Sequence, residues 1–135
     1  MSKTVHVVAA LIIRDNEILI AQRAEKKFNN SWEFPGGKVE LNEEAKSALQ
    51  RELYEELEVK SIIHDHFMDS YLEVTKNKKL KVSAYFATIL STPVALEHKA
   101  VKWVPIQDLG RYKLLSADIP ISENLIKKGR YSNRP

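Results

Sequence analysis

Residues 32–59 read Trp-Glu-Phe-Pro-Gly-Gly-Lys-Val-Glu-Leu-Asn-Glu-Glu-Ala-Lys-Ser-Ala-Leu-Gln-Arg-Glu-Leu-Tyr-Glu-Glu-Leu-Glu-Val. A short extended piece, Trp32 to Phe34, passes through Pro35 into Gly36-Gly37, where a backbone without Cβ atoms can turn sharply. No Gly or Pro interrupts residues 43–57, and the spacing predicts a helix there. Asn42 stands as its N-cap, with Glu43 and Glu44 in the first turn, where the helix dipole favours anions. Leu49, Leu53 and Leu57 line one flank and can face a core. Each helical residue turns about 100°, so Glu55 lies about 60° to one side of Glu52 and Glu56 about 40° to the other. Ala45 and Ala48 lie further back along the same stripe. Like charges at this spacing repel by about a few tenths of a kcal/mol each. No Lys or Arg stands four residues after Glu52 or Glu55 to offset them. A solvated acidic face is one explanation of such a triplet. A hard divalent cation held through oxygen, Mg2+ or Mn2+, is the other.

On either side of this stretch the chain reads as hairpins. Residues 4–13 form an apolar, Val- and Ile-rich strand, 14–17 a turn and 18–23 a second strand. A loop over 24–31 precedes the quoted stretch. Beyond it, 62–75 and 79–90 are long strands joined by a turn at Lys76-Asn77-Lys78-Lys79. A loop over 91–100, a short strand at 101–104 and a short helix near 106–109 follow. A terminal helix spans 118–128 with Pro120 in its first turn, and the tail 129–135 reads as frayed. Hairpin strands with one long helix between two groups of them favour an α+β fold, a mixed sheet covered by helices.

A length of 135 residues suits one domain over 1–135. The absence of cysteine excludes disulfides, thiolate zinc sites and cysteine nucleophiles. A net charge of +3 is compatible with an anionic ligand and too weak to argue for nucleic-acid binding. Lys76, Lys78, Lys79, Lys81, Lys127, Lys128, Arg130 and Arg134 read as solvated, and no stacking aromatics interleave the turn lysines. No stretch is long enough to span a membrane, and the run Val5 to Ile13 lacks a signal-peptide cleavage pattern. The expectation is a cytoplasmic monomer or small homo-oligomer with no nucleic-acid or membrane partner.

From Gly37, the spacing to Glu43, then Arg51-Glu52-Leu53, Glu55-Glu56 and Val59 resembles the Nudix box, the signature of hydrolases acting on nucleoside diphosphates linked to another group. One motif position departs: Glu58 stands where the family usually has Gly. Residues 32–40, Leu96-Glu97-His98, Trp103 and Ala117-Asp118-Ile119-Pro120 extend the resemblance to the MutT-type subgroup across nearly the whole chain. The resemblance implies a mixed sheet between helices, an α/β/α Nudix fold, with the box as a loop-helix-loop.

It also implies roles. The Gly36 carbonyl, Glu52, Glu55, Glu56 and Glu97 match metal positions for Mg2+, with Mn2+ an alternative. Gly37, Glu43 and Arg51 match positions that brace the motif. Glu52 and Glu97 are candidates for the general base. The substrate class is a nucleoside triphosphate, cleaved to a monophosphate and pyrophosphate. Arg23 and Lys38 are candidates for phosphate contact, and Phe34 and Asp118 for the base. Asp118 could instead cap the terminal helix. His6 and Val8 are candidates for lining the pocket. Trp32 and Trp103 read as core, and His98 as a loop residue. The leading substrate expectation is an oxidised nucleotide such as 8-oxo-dGTP. The alternatives are (d)CTP or a modified cytosine nucleotide, and, if Glu58 marks a degenerate member, a nucleotide sensor without turnover. In the Gly-type left-handed conformation Glu58 would cost about 1 kcal/mol.

Overall fold

The computed structural model describes residues 3–129 and 131. Strand β1 (Lys3–Arg14) organises it by serving two sheets. Residues Lys3 to Ile12 pair in parallel with β6 (Lys78–Ile89), which pairs antiparallel with β5 (Ser61–Thr75). Along its other edge, Val7, Val8 and Ala9 take the short antiparallel strand β4 (Gly36–Lys38). Its end, Ile13-Arg14, turns into β2 (Glu17–Gln22) through Asp15 and Asn16, which take left-handed φ values of 54° and 63°. Short polar Asx side chains tolerate that conformation. Strand β2 carries β7 (Ala100–Pro105) on one side and β3 (Trp32–Glu33) on the other.

The early apolar run lacks alternation because both faces of β1 are covered. Val8, Ala10 and Ile12 pack beneath α1 (Ala45–Leu57) with Leu49, Leu53 and Leu57. Ala9 and Leu11 face the other way, onto Ile121 and Leu125 of α2 (Ile119–Lys128). The sheet is thus mixed and lies between helices, as expected. Each of these fully buried leucines contributes roughly 2 kcal/mol of burial.

Several local expectations are corrected. Helix α1 begins at Ala45, with Glu44 at the N-cap making no side-chain capping bond, while Asn42 sits at φ 64° in the preceding loop. The loop is held instead by Glu43, whose Oε1 accepts from the Glu40 amide at 3.0 Å. Gly36 and Gly37 do not turn: they are strand residues without positive φ. The 106–109 segment is a 3-10 helix, Ile106–Arg111, and the 24–31 loop contains a 3-10 turn at Lys26–Phe28. Of the tail expected to fray, Tyr131 is buried, its amide donating to Asn16 Oδ1 and its hydroxyl to the Leu125 carbonyl. Residue 130, including that basic-tail arginine, and residues 132–135 with Arg134 lie outside the described residues. Among the described residues no helix is long and apolar enough to cross a membrane.

Candidate active site

The glycine pair is demanded by close approach. A Cβ on Gly36 would strike the Val8 carbonyl oxygen and the Ala9 Cα of β1. A Cβ on Gly37 would fall on the carboxyl group of Glu52. Strand β4 is therefore wedged between β1 and the acidic stripe of α1, and the Glu52 carboxyl rests directly against backbone.

The repulsion within that stripe is offset by a cation placed before it. Arg51 Nη1 donates to Glu52 Oε2 at 3.0 Å and to Glu55 Oε1 at 3.1 Å. Its Nε and Nη2 grip Glu43 at 2.8 and 3.0 Å, and Nη2 also reaches the Lys38 carbonyl at 2.9 Å. One guanidinium thus ties loop 38–43 to the helix, as a planar fork of donors can. The bonds from Arg51 hold the Glu43 carboxyl down to about 2. Neighbouring carboxylates push the Arg51 guanidinium still higher.

Glu56 lies in a different environment. It is 5% exposed and lines a cleft of 170 Å³ with Gly36, Glu97, Arg23, Glu25, Glu33 and His98. Burial above all, then the charge of Glu33 and the hydrogen bond and charge of Glu52, raise the Glu56 carboxyl to about 10. Its Oε1 is buried without a hydrogen-bond partner. His98 closes this cleft: its Nε2 is 2.7 Å from Glu33 Oε2 and its Nδ1 is 3.8 Å from Glu56 Oε1.

A larger cavity of 490 Å³ adjoins the cleft, with Arg23, Glu33 and Gly36 lining both. Its apolar wall includes Val7, Ala9, Phe34, Leu80 and Val82, and Lys38 and Asp118 also line it. Asp118 occupies the N-cap position of α2 but makes no capping bond. Its Oδ2 instead accepts from the Phe34 amide at 3.1 Å, so its carboxyl is turned away from the helix toward β3. Complete burial raises it to about 8, against the opposing pull of that amide bond, with the charge of Glu33 adding to the rise.

Over residues 3–125 the chain matches the NUDIX domain. It belongs to the Nudix family. The CTP pyrophosphohydrolase of Escherichia coli (strain K12) is 38% identical over 122 residues, 90% of each chain. The 8-oxo-dGTP diphosphatase of Buchnera aphidicola is 32% identical over 129 residues, 93% of this chain and 95% of that one. The solution structure of the E. coli ORF135 protein superposes with a TM-score of 0.86 at 35% identity, covering 93% of this chain and 91% of that one. This chain is a Nudix hydrolase.

In this Nudix site the sequence-derived residues fall into two groups. Gly36, Glu56 and Glu97 share the small cleft, with Glu52 beside it against Gly37. Glu55 is half exposed and bound to Arg51. As the side chains stand, no three acidic or histidine groups among the described residues are gathered closely enough to hold a metal ion. Arg51 accounts for part of this, since it engages Glu52 and Glu55. The donor chemistry nonetheless suits a hard divalent ion, and the orphaned Glu56 Oε1 needs a cation or a proton.

Arg23 lines both cavities but is fully engaged, chelating Glu25 at 2.7 and 3.1 Å, bonding Glu33 at 3.1 Å and covering the Phe28 ring at 4.1 Å. Phe34 is a core residue that also lines the larger cavity. Val8 lines that cavity, whereas His6 does not: its Nε2 pairs with Ser83 Oγ at 2.9 Å. Trp32 and Trp103 pack against the two cores, as expected. His98 lies in the loop before β7, as expected, but its side chain is only 6% exposed. Its partner Glu33 was also missed as a functional group. They are 65 residues apart, and no sequence spacing signals a contact of that range.

Proposed function

We propose that this Nudix hydrolase cleaves nucleoside triphosphates to the monophosphate and pyrophosphate, with cytosine nucleotides preferred over oxidised guanine nucleotides. The observation that carries the preference is Asp118, buried and raised to about 8. At neutral pH its carboxyl is mainly protonated. One oxygen is committed to the Phe34 amide, so the other presents an O–H donor to a base in the adjoining cavity. Cytosine offers N3 and O2 as acceptors for it. Discriminating 8-oxoguanine from guanine needs an acceptor for N7–H, which a lone donor does not supply. The resemblance to a CTP pyrophosphohydrolase supports this reading. The resemblance to an 8-oxo-dGTP diphosphatase keeps oxidised guanine as the second substrate class.

The phosphate chain would extend from the larger cavity into the small cleft, past Arg23. That guanidinium can exchange its exposed partner Glu25 for phosphate oxygens while keeping Glu33, and Lys38 adds charge at the cavity wall. Mg2+, or Mn2+, held by the Gly36 carbonyl, Glu52, Glu55, Glu56 and Glu97 would neutralise phosphate charge and acidify the attacking water. Glu52, steadied by Arg51, and Glu97, on the cleft wall, are the two carboxylates suited to take the water's proton. Arg51, Glu43 and Gly37 keep the motif in register and do no chemistry.

The test is pyrophosphate release with Mg2+ from dCTP, 5-methyl-dCTP, dGTP, 8-oxo-dGTP and ADP-ribose, for the wild type and Asp118→Asn. The reading expects the highest kcat/KM on a cytosine nucleotide and a shift toward 8-oxo-dGTP in the variant, whose amide offers both a donor and an acceptor. A wild-type preference for 8-oxo-dGTP, unchanged in the variant, would reject the role given to Asp118.

A further inference from the structure

Glu56 Oε1 and His98 Nδ1 face each other at 3.8 Å, and both are buried without a partner. That separation is too long for a direct hydrogen bond. His98 Nε2 lies 2.7 Å from Glu33 Oε2, and Glu33 is itself bound by the Arg23 guanidinium. A carboxylate oxygen there accepts, so Nε2 is the donor to Glu33 and Nδ1 is the ring nitrogen left facing the cleft. Two buried, unpartnered atoms thus converge across a small gap in a cleft shared with Gly36 and Glu97. A histidine fixed through one nitrogen by a carboxylate, with the other aimed at an acidic cleft, is an arrangement that suits metal ligation.

The segment that carries His98 is held on both sides. The Val94 and Leu96 amides donate to the carbonyls of Leu57 and Glu56 at 2.9 and 3.1 Å, and the Lys99 amide donates to Gln22 O at 2.9 Å. His98 therefore does not depend on a free loop to reach the cleft.

We propose that His98 Nδ1 is a ligand to the divalent ion held at Glu56, with Glu33 setting the ring. The inference rests on the metal-dependent reading above. An imidazole nitrogen among oxygen donors shifts the site's preference from Mg2+ toward Mn2+.

The test is pulsed EPR of the full chain titrated with Mn2+, using protein of natural isotope content and protein labelled with 15N-histidine. Continuous-wave EPR gives the bound fraction independently. His98→Gln keeps an amide donor for Glu33 but removes the ring nitrogen. The expected result is bound Mn2+ with 14N modulation that changes in the labelled protein and vanishes in the variant. The variant's Mn2+ affinity should fall about tenfold, and its Mg2+ affinity less. Bound Mn2+ without nitrogen modulation in the wild type overturns the ligand role while leaving the metal-dependent reading intact. Failure to bind Mn2+ at all overturns both.

Discussion

Replacing Asp118 by Asn exchanges a titrating carboxyl for an amide that keeps an acceptor oxygen for the Phe34 amide. In the folded protein Asp118 is raised from its ordinary 3.8 to about 8. Between those values the unfolded chain has released the proton and the folded chain retains it. The folded state then binds more protons, so stability falls as pH rises through this window and is level above it. From pH 6 to pH 8 the slope is about 1.4 kcal/mol per unit at first and tapers as the folded group itself begins to ionise near pH 8, or about 2 kcal/mol in all. The amide does not titrate. The stability of Asp118→Asn relative to wild type should therefore improve by about 2 kcal/mol from pH 6 to pH 8 and change little from pH 8 to pH 9. Glu56, raised to about 10, titrates in both proteins and cancels in the difference. Urea unfolding of both proteins at pH 6, 7, 8 and 9, with m compared at each pH, gives the numbers directly. A difference that stays constant from pH 6 to pH 9 would mean that Asp118 is ionised throughout, and the donor assigned to it would be lost.

Four further substitutions probe the motif. Glu58 ends α1 at φ 58° and ψ 38°, so Glu58→Gly should raise stability by about 1 kcal/mol by relieving left-handed strain; a lower urea midpoint would contradict this. Gly37→Ala should cut kcat at least about tenfold by displacing Glu52, while Gly36→Ala, which strikes the backbone of β1, should cost about 2–3 kcal/mol of stability. Equal effects of the two on both readouts would refute the distinction. Arg51→Lys cannot reproduce the fork that joins Glu43, Lys38, Glu52 and Glu55. It should lower kcat about 10- to 100-fold with a smaller change in KM, and wild-type steady-state kinetics would show that the fork is dispensable.

Local periodicity carried most of the fold. The run from Val5 to Ile13 gave a buried strand, and the Leu49, Leu53, Leu57 flank gave the packing face of α1. The box spacing carried the carboxylates and their brace. Features decided by distant partners were not legible in this way. Asn42 is a good capping residue, yet Arg51 captures Glu43 and starts the helix later. Gly36 and Gly37 suggested a turn because glycine permits one; crowding by β1 and Glu52 makes them glycine for another reason. Asp118 has the sequence position of a cap, but the Phe34 amide, 84 residues away, takes its carboxyl. Glu33 and His98 form a pair only because β3 and the segment before β7 both border β2.

The central claim is cleavage of a nucleoside triphosphate to monophosphate and pyrophosphate at the Glu56 cleft. It is tested most directly by 31P NMR of the products formed from dCTP with Mg2+, for wild type and Glu56→Gln. The account predicts dCMP and pyrophosphate from the wild type and loss of turnover in the variant. Formation of dCDP and inorganic phosphate, or tight binding of dCTP and 8-oxo-dGTP without turnover of either, would contradict it.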